Sequence, residues 1–289
     1  MPVIRGALQV LIGRALSVGV AALVFGMLAP ASACGRTSDC QVGDRTYRIS
    51  KPEGVVAGER IGALVFMHGW RSNPANVMAN GDLVAFAHAR GLALIAPKSA
   101  QDGWDIAGSP SERQRSELPF FDALLADVGQ RHGIDTGRLI ASGFSAGGMM
   151  VWNLICHRGD SFTAFIPISG TYWRPVPRTC ATPGAPVVHI HGRDDPVVPM
   201  TGRKIRQWQQ GDVQVALSRY RRQSAVSTDA PVRVTRDGLS CDVARFAGAS
   251  GGIGMCTHAG GHWYTVEQLA VAFSVLRQSG VNVPEQQRP

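Results

Sequence analysis

The chain has 289 residues, 45% of them hydrophobic and 17% charged, and a formal net charge of +8. That length suits one α/β domain with a sizeable core. The positive excess is spread along the chain apart from Arg219-Tyr220-Arg221-Arg222, which reads as a solvated helix face and argues against a nucleic-acid surface.

Residues 1–33 have the layout of a cleaved secretory signal. Arg5 and Arg14 precede an uncharged apolar run from Ala15 to Ala29, and Ala31-Ser32-Ala33 supplies the small residues a signal peptidase reads. A membrane anchor is the competing reading, but the run falls short of the roughly 20 apolar residues needed to span a bilayer. No other segment is long and apolar enough to cross a membrane, so no span is expected once the signal is removed. A lipidated Cys34 is disfavoured because Ala31 stands where lipoprotein signals usually carry Leu. The expected organisation is therefore a signal at 1–33 and one catalytic domain at 34–289. All six cysteines, Cys34, Cys40, Cys156, Cys180, Cys241 and Cys256, lie beyond the signal. An even count in an exported chain suggests three disulfides, and nearest-neighbour pairing is the expectation among the 15 possible connectivities. No Cys/His spacing resembles a zinc site.

In chain order, Val42 to Ser50 alternates as an edge strand and Ile61 to Met67 is an apolar strand ending at His68-Gly69-Trp70. Asn73-Pro74 opens a loop, Leu83 to Arg90 is a helix stopped by Gly91, and Leu92 to Ala96 is a strand closed by Pro97. Strand, helix, strand spacing of this kind implies a parallel sheet. Lys98 to Arg115 has no periodicity and reads as a long, functional loop. Phe121, Leu124, Leu125 and Val128 mark one face of a helix that ends at Gly133. Ala164 to Ser169 and Val187 to Ile190 are further strands, with Pro167 arguing against a fully bonded central position. Thr201 to Arg222 reads as mostly helical, broken near Gly211. Cys241 to Ala247 and Ile253 to His258 form strands joined by a glycine-rich loop. A last helix begins at Thr265, which can cap it while Gln268 reaches back. There are no repeats and no second domain, so the fold expected is a doubly wound, mostly parallel α/β sheet with helices on both faces.

Gly143-Phe144-Ser145-Ala146-Gly147 fits G-x-S-x-G, with the apolar run Leu139 to Ser142 before it and a helical segment, Met149 to Cys156, after it. That is the setting of a nucleophile elbow, where a strand reverses into a helix and larger flanking residues would collide with the backbone. Gly248-Ala249-Ser250-Gly251-Gly252 fits the same pattern but lacks the following helix, so Ser250 is assigned to a hairpin loop.

A serine hydroxyl needs a base to take its proton and a carboxylate to orient that base. In this setting both partners follow the nucleophile in the chain. Asp194 and Asp195 lie just beyond the strand ending at Ile190, at the strand tips where open α/β sheets bind ligands. His258 and His262 follow the last strand; His262 is favoured because Gly260-Gly261 lets its loop approach Ser145, whereas His258 belongs to the strand. His88, His132, His157 and His189 are read as structural. The backbone N–H groups of Ala146 and Trp70 are the expected oxyanion donors. Trp70, Trp104, Trp173 and Trp263 are candidates for an aromatic pocket or for ordinary packing.

With these residues located, the chain resembles the secreted α/β-hydrolases of the poly(3-hydroxybutyrate) depolymerase and feruloyl esterase type. The resemblance runs from about Val42 to Gln278 and rests on His68-Gly69, Gly143 to Gly148, His191-Gly192 with Asp195-Pro196 and Val198-Pro199, and Gly260-Gly261-His262-Trp263. It implies Ser145 as nucleophile, Asp195 rather than Asp194 as acid, His262 as base and Trp70 in the oxyanion loop. The implied activity is serine carboxylic-ester hydrolysis with no cofactor and no metal. Two departures bear on substrate: Trp70 stands where many relatives have Cys, and Trp263-Tyr264 where they have Thr-Trp-Pro. Neither the granule-binding domain of polymer degraders nor a carbohydrate-binding domain is seen, so soluble or oligomeric esters are the expected substrates. A serine peptidase on the same fold and a non-catalytic secreted binding module are the alternatives.

Overall fold

The computed structural model describes residues 1–2, 34–56, 58–113 and 116–286; the expected signal, apart from its first two residues, lies outside them. Two short strands, β1 (Cys40–Val42) and β2 (Arg45–Ser50), form an antiparallel hairpin in place of one edge strand. Then follow β3 (Ile61–Met67), α1 (Pro74–Ala79), α2 (Gly81–His88), β4 (Ala93–Pro97) and α3 (Leu118–Arg131). Asn73 and Pro74 do not open a loop: the Asn73 side chain accepts the Asn76 N–H at 3.0 Å and starts α1, with Pro74 in its first turn. After these come β5 (Ile134–Phe144), α4 (Ala146–His157), β6 (Ala164–Ile168) and β7 (Val187–Gly192). The chain ends with a small hairpin of β8 (Lys204–Ile205) and β9 (Trp208–Gln209), then α5 (Val213–Gln223), β10 (Val232–Arg236), β11 (Leu239–Arg245), β12 (Gly252–His258) and α6 (Val266–Gln278).

Ten strands make one sheet in the order β1-β2-β4-β3-β5-β6-β7-β12-β11-β10. The six from β4 to β12 run parallel and the outer pairings are antiparallel. Parallel strands are covered on both faces, which is why β3 is apolar at every position but its glycine and buried throughout. Ala63, Val65 and Met67 share one core with Phe121 and Leu124 of α3, Trp152 of α4 and Leu217 of α5. Leu64 and Phe66 point the other way, toward Leu83 of α2 and Leu269 and Phe273 of α6. α6 begins with the expected capping box between Thr265 and Gln268.

Pro167 does sit in a central strand, between β5 and β7. It is tolerated because the β6–β7 ladder is sparse: Phe165 pairs with Val187 and Ile168 with Ile190, and Pro167 falls between them. The three disulfides are Cys34–Cys40, Cys156–Cys180 and Cys241–Cys256, the nearest-neighbour pairing. The second ties the end of α4 to the loop after β6, and the third joins directly opposed residues of β11 and β12.

The described residues between 98 and 117 form no helix or strand, and this loop is held from beneath by Glu117, which is fully buried. Its carboxylate accepts the N–H groups of Ala100 and Asp105 and pairs with Arg45 at 2.7 Å. Arg45 in turn stacks over Phe120 and donates to the Lys98 carbonyl. Glu117→Gln would leave the Arg45 charge unanswered in a buried place. The expected loss is about 3 kcal/mol of unfolding free energy, read as a lower urea midpoint. An unchanged midpoint would mean that water takes over the carboxylate's role.

Candidate active site

Ser145 lies between the last residue of β5 and the first of α4, with φ 60° and ψ −119°. Few side chains accept that backbone, and it is held by the Ser145 N–H donating to the Ile168 carbonyl at 2.9 Å. The flanking glycines have the steric role read from the motif. A Cβ on Gly143 would stand 2.8 Å from the Met67 oxygen, and one on Gly147 would run into that same carbonyl. The turn therefore packs directly on the end of β3. Ser250, in contrast, lies in the β11–β12 loop, packed by Gly280.

His262 reaches Ser145 from the loop after β12, its Nε2 2.9 Å from the serine Oγ. Its Nδ1 is 2.7 Å from Oδ2 of Asp195. A carboxylate only accepts, so Nδ1 carries a proton and Nε2 faces the hydroxyl as an acceptor. Phe144 packs against the imidazole, ring centroids 4.6 Å apart. Two backbone bonds stitch the loop carrying the acid to the loop carrying the base: Arg193 N–H to the His258 carbonyl and Asp194 N–H to the Gly260 carbonyl. Gly192 is required there, since a Cβ would collide with the Gly260 and Gly261 carbonyls. Asp194 is exposed, whereas Asp195 is buried and bonded to His262, so the carboxylate in place is Asp195.

The second oxygen of Asp195 accepts the N–H groups of Val197 and Val198 at 2.9 and 2.8 Å. Burial pushes the Asp195 carboxyl up, but the bonds from His262, Val198 and Val197 outweigh it and hold the group below the usual carboxylate range. Behind it, His191 Nε2 donates to the Val198 carbonyl at 2.7 Å and its Nδ1 accepts from His189 Nε2 at 2.9 Å. Burial lowers both imidazoles below the ordinary histidine value, His189 well below. The pair is a neutral strut under the acid's loop.

On the opposite side of Ser145, the Ala146 N–H is at the first position of α4 and has no acceptor within its helix. Trp70 follows β3, in a turn closed by Arg71 N–H to Asp102 and Ser72 N–H to Gly69. His68 is buried beneath that turn, donating from Nδ1 to the Gly69 carbonyl and accepting the Ser99 N–H at Nε2. Burial, the largest influence on it, lowers its proton affinity. Trp104 donates to the His68 carbonyl at 3.0 Å and stacks on its ring, so this tryptophan packs the loop rather than facing solvent.

A cavity of about 440 Å³ opens over Ser145 and Ala146. Trp70 and Trp173 line it, as the sequence allowed; Trp263 does not, and packs instead on His258 at 4.3 Å. Comparison with known proteins places the chain beside esterases. The phospholipase/carboxylesterase family matches residues 118–214, which include Ser145 and Asp195 but stop short of His262. The feruloyl esterase C of Emericella nidulans and the "Probable feruloyl esterase C" of Aspergillus niger are each 28% identical over 170 residues. Those matches take in 56% of this chain and 59% of theirs, so the chain spans less than two thirds of the length of these two relatives. Among solved structures, the acetyl xylan esterase from Aspergillus awamori superposes with a TM-score of 0.57 at 12% identity, covering 82% of this chain and 94% of that one. The chain has the α/β-hydrolase fold and resembles the feruloyl esterases.

In this α/β-hydrolase fold one wall of the cavity was not legible in sequence. The segment from 201 to 210, expected to be helical, is the β8–β9 hairpin, and it brings Arg203, Ile205, Arg206 and Trp208 to the cavity. It is not helical because Gly202 (φ 71°) and Arg206 (φ 55°) are left-handed. Its residues bond across to a distant segment: Arg174 N–H to Gln209 and Gly211 N–H to Tyr172. Among the described residues, no helix is long and apolar enough to cross a membrane.

Proposed function

We propose that the protein is an exported serine carboxylic-ester hydrolase acting through an acyl-enzyme on soluble or oligomeric esters. The observation that carries this reading is the continuous bonded line from Ser145 Oγ through His262 to Asp195. Ser145 attacks the ester carbonyl while His262 Nε2 takes the hydroxyl proton, and the proton passes on to the departing alcohol. Water, activated by the same imidazole, then releases the acid and restores the serine. Asp195 holds Nδ1–H toward itself and stabilises the imidazolium that forms. The N–H groups of Ala146 and Trp70 receive the oxyanion; both are main chain, so replacing the Trp70 side chain alters substrate fit before it removes a donor.

The similarity to feruloyl esterases supports an ester substrate, and a cavity of about 440 Å³ suits a small ester or the end of an oligomer. The three disulfides support passage into an oxidising compartment. The test is hydrolysis of short-chain acyl esters and a feruloyl ester by the oxidised protein beside Ser145→Ala. The variant is expected to lose on the order of 10⁴-fold or more in kcat while keeping its thermal midpoint. Equal turnover by both proteins would show that Ser145 is not the nucleophile.

A further inference from the structure

The cavity beside Ser145 is walled by Arg71, Arg203 and Arg206 together with Trp70, Trp173 and Trp208, and no acidic side chain lines it. Arg71 is answered by Asp102 at 3.2 Å in an exposed pair. Arg203 is anchored at Nε, which donates to the Val197 carbonyl at 2.7 Å, so its guanidinium is fixed to the same loop that carries Asp195. Among the described residues, neither Arg203 nor Arg206 is in an ion pair. Two exposed cationic side chains therefore line a cavity whose remaining lining is mostly aromatic and aliphatic, with Arg71 and Gln210 beside them, and a planar oxyanion is the matching ligand.

The backbone makes the same point independently. Among the described residues, five other than glycine have positive φ, and three of them, Arg71, Ser145 and Arg206, line this one cavity. Left-handed backbone disfavours any residue with a Cβ, so glycine would be the more stable choice at 206 unless the side chain is needed. Arginine at the tip of the β8–β9 hairpin therefore carries a conformational cost that glycine would not.

We propose that the ester substrate carries a carboxylate, which seats against Arg203 and Arg206 while the scissile carbonyl lies at Ser145. This rests on the esterase reading above and adds the charge of the substrate to it. The carboxylate could belong to either half of the ester: to the acyl half, as in a monoester of a dicarboxylic acid, or to the alcohol half, as in an acylated hydroxy acid.

Two matched pairs separate these sources: monoethyl glutarate against its neutral amide, ethyl glutaramate, and 3-acetoxypropanoate against 3-acetoxypropanamide. For the wild-type protein the charged member of one pair is expected to have a kcat/KM about tenfold higher or more, carried by KM and eroded by added salt. In Arg203→Gln combined with Arg206→Gly, the charged-to-neutral ratio should fall to near one. Arg206→Gly alone should lower that ratio while its thermal midpoint stays level or rises, an outcome that a merely structural arginine would not give. If wild type hydrolyses the neutral members as well as or better than the charged ones in both pairs, the carboxylate proposal is overturned and the esterase reading stands. If the folded protein hydrolyses no ester at all, both fall.

Discussion

Asp195→Asn is expected to lower kcat about 10⁴-fold with little change in stability. The geometry decides which way the new amide points. Oδ1 of Asp195 accepts two backbone N–H groups, from Val197 and Val198, and only the amide oxygen can do the same. The amide NH₂ is therefore left facing His262 Nδ1, which must then accept, and the imidazole proton moves to Nε2. There it points at Ser145 Oγ, 2.9 Å away, and the nitrogen that should take the serine proton is already occupied. The loop remains tied by its backbone bonds and by His191, so the thermal midpoint should stay within a few degrees of wild type. Steady-state kinetics on any accepted ester, with a melting curve alongside, checks this. A loss below tenfold would mean that His262 finds its orientation without the carboxylate.

Acid should destabilise the protein steeply from near-neutral pH, through its buried histidines. His68, His189 and His191 are buried and their proton affinities lie below the ordinary value of 6.5 because burial disfavours the charged ring. The bonding already described fits neutral rings, since His191 Nδ1 accepts from His189 and His68 Nε2 accepts a backbone N–H. Once unfolded, each takes up a proton below about pH 6.5, whereas the folded protein does not; the unfolded state then binds more protons and gains. Stability is therefore full above that pH and falls below it, by up to about 4 kcal/mol per pH unit for three such groups. His88, His132 and His157 are also lowered, chiefly by burial, and act in the same direction with smaller weight because they are only partly buried; His258, buried at the end of β12, is lowered in the same way. Asp195 adds its own loss further down: its carboxyl is depressed on folding, so its contribution is present above the unfolded value of about 3.9 and disappears as pH falls through the folded one. Urea midpoints at pH 7.5, 6.5 and 5.5 measure the histidine effect. A flat series would show that these rings protonate inside the fold.

What could be read from the sequence was what depends on neighbours along the chain. The elbow is local: Gly143 and Gly147 lie within two residues of Ser145, and the contacts that demand them involve the adjoining strand end. The helix start at Thr265 and Gln268 is equally local, and so are the three cysteine pairs, each closing a short loop. β10 was missed although its signal was present: Asp237-Gly238, with φ 49° and 76°, is the two-residue hairpin turn joining it to β11. The β8–β9 hairpin carries no such turn pair, and the partners of Gln209 and of the following Gly211, Arg174 and Tyr172, are some thirty-five to forty residues away. Glu117 was invisible for the same reason, because an acid is buried only where a distant arginine meets it, here Arg45. His189 was read as structural and is; that His191 braces the acid's loop depends on a bend that only the fold supplies.

The disulfide connectivity has a consequence for biogenesis. The pairs 34–40, 156–180 and 241–256 neither nest nor cross, so each closes before the first cysteine of the next has followed in the chain. A chain delivered amino end first into an oxidising compartment and oxidised as it emerges would form all three by joining each new thiol to the last unpaired one. A simple disulfide oxidant, itself reduced to the dithiol in each exchange, would suffice, and no isomerase that reshuffles wrong pairs would be called upon.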